Sequence, residues 1–264
     1  MIVRPMDGER AELVMQVDHA DVSGDLADAW GAPDVGALDP EAEVRLAARL
    51  HDSGWRSWEA APELNPSTGR PENFLDVDVA RHLVFYQAAV DEVAARDRYA
   101  GMLVSKHAAG IYTGRYGTQP AMIVTRAPEQ QAAVDAFVAR QEAWHGAVQR
   151  ELGVSDDELW RNYLLLQVFD RLSLWLCRGD PAGQARLEIA LPDRDEPLVV
   201  EPAEDGGRVA PWPFRAGEAT FEVPVRTVPL EGYADVAEFR AAVAAAPVER
   251  RRERLAPLYA GRRC

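Results

Sequence analysis

The chain has 264 residues, 47% of them hydrophobic and 27% charged, enough apolar material for one large buried core. A formal net charge of -14 at pH 7, from 43 acidic against 29 basic residues, opposes binding to a polyanion: nucleic-acid polymers and anionic membranes are poor partners, whereas a small anionic substrate is excluded less firmly. No apolar run is long enough to span a bilayer, MIVRPMDGER has no secretory pattern, and Cys177 and Cys264 make neither a disulfide framework nor a CxxC site, which together point to the cytoplasm.

In chain order, the region from Glu12 to Trp30 puts Met15, His19, Val22 and Leu26 on one helical face. LDPEAEVRLAARLHDSG reads as a second helix, with Asp39 as N-cap, Pro40 at the first helical position, Glu41 and Glu43 in the first turn and Gly54 as its stop. APELNPSTGRPENF, from Ala61 to Phe74, is dense in turn-forming residues and predicts a loop. Helical spacing returns in DVARHLVFYQAAVDEVA and RYAGMLVSKHAAGIYTG, and Gln130 to Leu152 reads as an exposed amphipathic helix. Ser155 and Glu158 form a capping box ahead of LWRNYLLLQVFDRLSLWLC, the most apolar helix. Beyond Gly179, alternation in RLEIAL, PLVVEP and ATFEVPVRTV predicts a small antiparallel sheet, followed by a helix over Val236 to Ala245 and an arginine-rich tail. The expected fold class is mainly α: a helical metal-binding domain over residues 1–180 and a β-rich C-terminal extension with a terminal helix over 181–264.

Six polar residues occupy positions where apolar ones belong. His19 lies between Met15 and Val22, His51 continues the stripe of Val44 and Ala47, and Asp52 lies about 100° further round the same helix end. His82 shares a face with Val79 and Tyr86, and His107 with Leu103 and Ile111. Asp170 sits between Leu166 and Leu174, where an unpaired carboxylate is costly. Imidazole nitrogens and carboxylate oxygens bind divalent metals, so a shared metal centre would satisfy all six.

This order of H, then HD, then H, H and D over five helices resembles the HD-domain superfamily. The resemblance covers about Val14 to Cys177 and implies an HD-domain-like bundle with a dinuclear centre: one ion on His19, His51, Asp52 and Asp170, the second on His82, His107 and a bridging Asp52. Trp55 departs from the pattern, since many HD hydrolases carry a basic residue just after the doublet. The runs QVDHADVSGDLADAWG, LHDSGWRSWEAAP, NPSTGRP, VSKHAAGIYTGRYG and FDRLSLWLC also resemble a bacterial family that offers no activity to inherit.

The implied activity is metal-dependent hydrolysis of a phosphate ester or anhydride of a small molecule or nucleotide, with two divalent ions, iron or manganese. Two alternatives stay open: a mixed-valent di-iron oxygenase that cleaves a C-C or C-P bond, and a catalytically silent, metal-bound sensor. Lys106, Arg70 and Arg115 are the candidate catalytic cations, with Arg81 and Arg171 as further anion clamps, and Arg70 rides on a loop from Asn65 to Phe74 expected to cover the metal cavity. Tyr112 and Tyr116 read equally as pocket or core residues, Trp55 and Trp58 as packing, and His145 as part of a surface helix. Oligomeric state is not encoded in any of these patterns.

Overall fold

The computed structural model describes residues 1–122, 126–179 and 185–259; Cys264 and the end of the arginine-rich tail lie outside them. The chain starts with two strands, β1 (Ile2–Pro5) and β2 (Arg10–Val14). Seven helices follow: α1 (Gln16–Ala29), α2 (Glu41–Leu50), the single turn α3 (Arg56–Glu59), α4 (Val79–Arg96), α5 (Arg98–Gly110), α6 (Pro128–Leu152) and α7 (Asp156–Arg178). The remainder comprises β3 (Leu187–Ile189), β4 (Leu198–Ala203), β5 (Gly206–Ala210), β6 (Ala219–Pro229), α8 (Val236–Ala245) and β7 (Glu249–Pro257).

The mainly α expectation, with a small C-terminal β extension, is corrected. All seven strands form one strongly curled half-barrel sheet in the order β1-β2-β6-β7-β5-β4-β3, antiparallel except for the β5–β7 pair. Strands from both ends of the chain meet in it: β2 runs against β6, with Ala11 opposite Val228 and Leu13 opposite Arg226. The helix expected from Glu12 therefore begins only at Gln16, because Ala11 and Leu13 bury themselves as strand residues. The expected arginine-rich tail is in part β7, whose Glu249–Leu255 segment pairs with β6.

The helices pack around α7, whose Leu165, Leu166, Val168, Phe169 and Leu172 are fully buried against α1, α2 and α5. Trp30 meets Phe169 edge-on at 5.3 Å. Burying each such side chain contributes roughly 1.5–3 kcal/mol. Ser155 caps α7 by accepting from the Glu158 amide, one half of the expected capping box, while the Glu158 carboxylate accepts from the Tyr99 hydroxyl instead; Gly179 ends the helix with φ 59°. At that end Arg251 of β7 donates to the carbonyls of Leu176 (3.0 Å) and Cys177 (2.8 Å) and pairs with Glu253 and Glu12. A cation on the negative end of the helix dipole thus joins the most apolar helix to the sheet. Among the described residues, no helix is long and apolar enough to cross a membrane.

Candidate metal centre

The site is assembled where α2 stops. His51 keeps helical torsions, whereas Asp52 leaves the helix at φ -110°, ψ 17°, in the sparsely populated bridge region, and the chain turns through Ser53–Trp55 into α3. Glu59 of α3 then accepts hydrogen bonds from the Gln16 and Val17 amides, capping the otherwise uncapped start of α1 and fixing the helix that carries His19. Gly54 lets α4 approach: a Cβ there would lie 1.9 Å from the Phe85 carbonyl oxygen. Gly54→Ala is therefore expected to push α4 away from the doublet and to destabilise the protein by about 1–3 kcal/mol or more. A lowered urea midpoint at unchanged m-value checks this, and an unchanged midpoint contradicts it.

Four ligand-type side chains converge on one point. The Nε2 atoms of His19 and His51 face each other at 3.3 Å. Asp52 Oδ2 lies 3.8 Å from each, and Asp170 Oδ1 lies 3.2 Å from His19 Nε2 and 3.7 Å from His51 Nε2. His19, His51 and Asp52 form the group in which every ligand atom is within 4.8 Å of the others, and it is buried throughout. The tautomers suit a metal. His51 Nδ1 lies 2.8 Å from the Ala48 carbonyl and so carries the hydrogen. Ser173 donates to the Asp170 carbonyl and accepts from His19 Nδ1 at 2.7 Å. Both Nε2 atoms thereby point inward at hydrogen-bond distance from each other, an arrangement that takes either a shared proton or a cation in its place.

The electrostatics make the same demand. Burial works to lower the pKa of His51, but Asp52 and Asp170 beside it outweigh burial and push it up to about 9. Burial alone would raise Asp170, yet the Arg115 guanidinium, His19 and His51 hold it well below the usual carboxylate range. Asp52, also buried, is raised, and its Oδ1 has no hydrogen-bond partner. The cluster is short of positive charge, and a divalent cation matches its donors.

A cavity of about 350 Å³ opens on this cluster, lined by His19, Asp52, His82, His107, Arg115 and Asp170 among others. Arg115 is 3% exposed and reaches Asp170 Oδ2 at 2.5 Å. Gly114, Arg115 and Tyr116 all take left-handed torsions (φ 61°, 51° and 53°), a strained run for two non-glycine residues that turns the chain sharply just after α5. His82 is held neutral, its pKa lowered to about 4 chiefly by burial, and its Nδ1 lies 2.7 Å from the Tyr112 hydroxyl. Burial keeps that phenol protonated, so a neutral phenol and a neutral imidazole share this hydrogen bond. The His107 ring lies edge-on to His51 at 5.0 Å, and its Nδ1 is buried without a partner.

Other expected positions fall elsewhere. Arg70 pairs with Glu231 on the surface, and of its loop only Phe74 lines the cavity. Lys106 sits over the Tyr116 ring at 4.4 Å, beside Trp160 and Tyr163, outside the cavity wall. Arg81 is occupied by Asp78, Glu63 and Glu72. His145 is buried, with Nδ1 3.4 Å from Ser105, because α6 packs on α5. Trp55 and Trp58 are buried. Three supporting residues escaped the sequence reading: Gln16, which donates to Asp52 Oδ2 at 3.3 Å, and the linked hydroxyls of Ser23 and Ser173. Ser173 had a visible signal, lying one turn after Asp170 on the same helix face.

A family model for proteins of unknown function, DUF3891, matches residues 1–230, from β1 through β6. The chain belongs to this family. No curated protein and no solved structure matches it. The HD-domain resemblance is thereby corrected, together with the HD phosphohydrolase, di-iron oxygenase and sensor readings drawn from it. The DUF3891 match includes the sheet's N-terminal strands, and the fold is a mixed α/β structure with a curled half-barrel, not an HD bundle. The ligand cluster differs too. His19, His51 and Asp52 could coordinate one ion, whereas His82 stands apart on Tyr112, Trp55 and Tyr86, so a six-ligand dinuclear centre is not formed among the described residues.

Proposed function

We propose that this protein is a metal-dependent enzyme that hydrolyses a small anionic molecule, using one divalent ion held by His19, His51 and Asp52, with Asp170 completing the donor set. The observation that carries this is the pair of inward-facing Nε2 atoms 3.3 Å apart between two buried carboxylates. Such nitrogen and oxygen donors suit first-row ions, iron and manganese included. These residues would hold a divalent ion whose contribution would be Lewis acidity and activation of water, the least demanding use of such a centre. Arg115 and Arg126 at the cavity wall supply charge for an anionic group, with Arg126 against the Tyr112 ring at 5.4 Å. His82, neutral and hydrogen-bonded to Tyr112, lines the cavity as an uncharged hydrogen-bonding group for the substrate. The cavity volume of about 350 Å³ is at the small end for ligand pockets, which favours a metabolite-sized substrate.

The test is calorimetric titration of chelator-treated protein with Mn(II) or anaerobic Fe(II), followed by a chelator-sensitivity assay on small anionic esters and amides. One ion per chain is expected. Because the metal must displace the proton that His51 holds below about pH 9, uptake should release protons and weaken as pH falls from 9 towards 6. A lack of uptake, or uptake without proton release, sinks the assignment.

A further inference from the structure

The metal cavity does not end at Arg115. A second cavity of about 240 Å³ shares Phe74, Leu75, Arg115, Met122 and Leu174 with it and extends outward to Arg171 and Arg178. Arg171 is half-buried, and no hydrogen-bonding or ion-pairing partner lies within reach of its guanidinium among the described residues. That is unusual in a chain with 43 acidic and 29 basic residues, where Arg49 alone reaches Asp21, Asp25 and Asp28. A partly desolvated guanidinium without a counter-ion is costly, more so with Arg115 on the same cavity wall. The charge is therefore available to an anion from outside. Beside Arg171 the wall is apolar, formed by Phe74, Leu174, Trp175 and Leu187.

We propose that this outer cavity recognises a carboxylate carried on an apolar body, with Arg171 as the specificity-determining residue and Arg178 at the mouth. The substrate is then an elongated acid: its reacting group lies in the inner cavity and its apolar segment runs past Phe74 and Leu174 to the carboxylate at Arg171. This extends the reading of the inner cavity as the reaction site. A planar guanidinium offers a carboxylate two parallel hydrogen bonds, and the apolar wall selects against small hydrated anions such as inorganic phosphate.

The experiment measures binding of hexanoate, 1-hexanol and inorganic phosphate by calorimetry and ligand-observed NMR, on chelator-treated and on Mn(II)-loaded protein. Hexanoate is expected to bind both forms, at least about tenfold more tightly than 1-hexanol. Arg171→Gln should remove that advantage, and Arg171→Lys, which keeps the charge, should retain part of it; circular dichroism checks that both variants are folded. Arg171-dependent hexanoate binding in protein that takes up no metal supports this site even though the metal reading has failed. Equal hexanoate affinity in wild type and Arg171→Gln overturns the proposal. So does binding confined to the Mn(II)-loaded form, or binding of inorganic phosphate in place of hexanoate.

Discussion

Asp52→Asn is expected to weaken metal binding by about a hundredfold or more and to abolish metal-dependent turnover, because it removes the carboxylate of the His19–His51–Asp52 ligand group. The substitution keeps the shape of the side chain, so Gln16 and the turn at Ser53–Trp55 retain their packing. His51→Ala is expected to lose the ion to a similar degree. His82→Ala should leave affinity within a few-fold of wild type, since His82 bonds to Tyr112 and lies outside the ligand group. Competition against a metallochromic chelator measures all three. Equal loss in His82→Ala and Asp52→Asn would contradict the single-ion assignment.

Arg115→Ala is expected to cost about 3–5 kcal/mol of stability in metal-free protein, among the largest effects of any single substitution here. Both partners of the Arg115–Asp170 pair are nearly excluded from water, with side chains 4% and 5% exposed, and removing the arginine takes away the carboxylate's main counter-charge and leaves it with the His19 and His51 rings. The helix supplies no relief, because Asp170 lies among the fully buried Phe169, Leu166 and Leu172. A bound divalent ion beside Asp170 would replace part of the missing charge. The deficit should thus shrink when the variant is loaded with Mn(II), and metal should stabilise Arg115→Ala more than wild type. Urea unfolding of both proteins with and without metal reads this directly, and an equal deficit in both states would mean that the ion does not sense Asp170.

Local patterns in the sequence carried much of the helical layer. The boundaries of α8 and the Ser155 cap of α7 could be read from periodicity and capping residues, which are local signals. His19, His51, Asp52, His107 and Asp170 could be singled out for a similar reason: a polar group on an apolar helix face stands out against its immediate neighbours. Sequence spacing says that such residues face inward. It does not say how near one another they end, so His82 and His51 looked alike on the page although only His51 joins the cluster.

Tertiary structure decided the remainder. β1 and β2 are short, and β2 becomes a strand by pairing with β6, far along the chain; no local pattern records a partner at that distance. Arg115, Arg70 and Lys106 are equally cationic and equally near a motif in sequence. Three successive left-handed residues turn the chain at Arg115, which sits against Asp170, whereas Glu231 holds Arg70 at the surface and aromatic rings hold Lys106. The sequence determined which groups are costly to bury; the fold determined which of them come together, because charge compensation acts over a few ångströms of space and not over intervals of sequence.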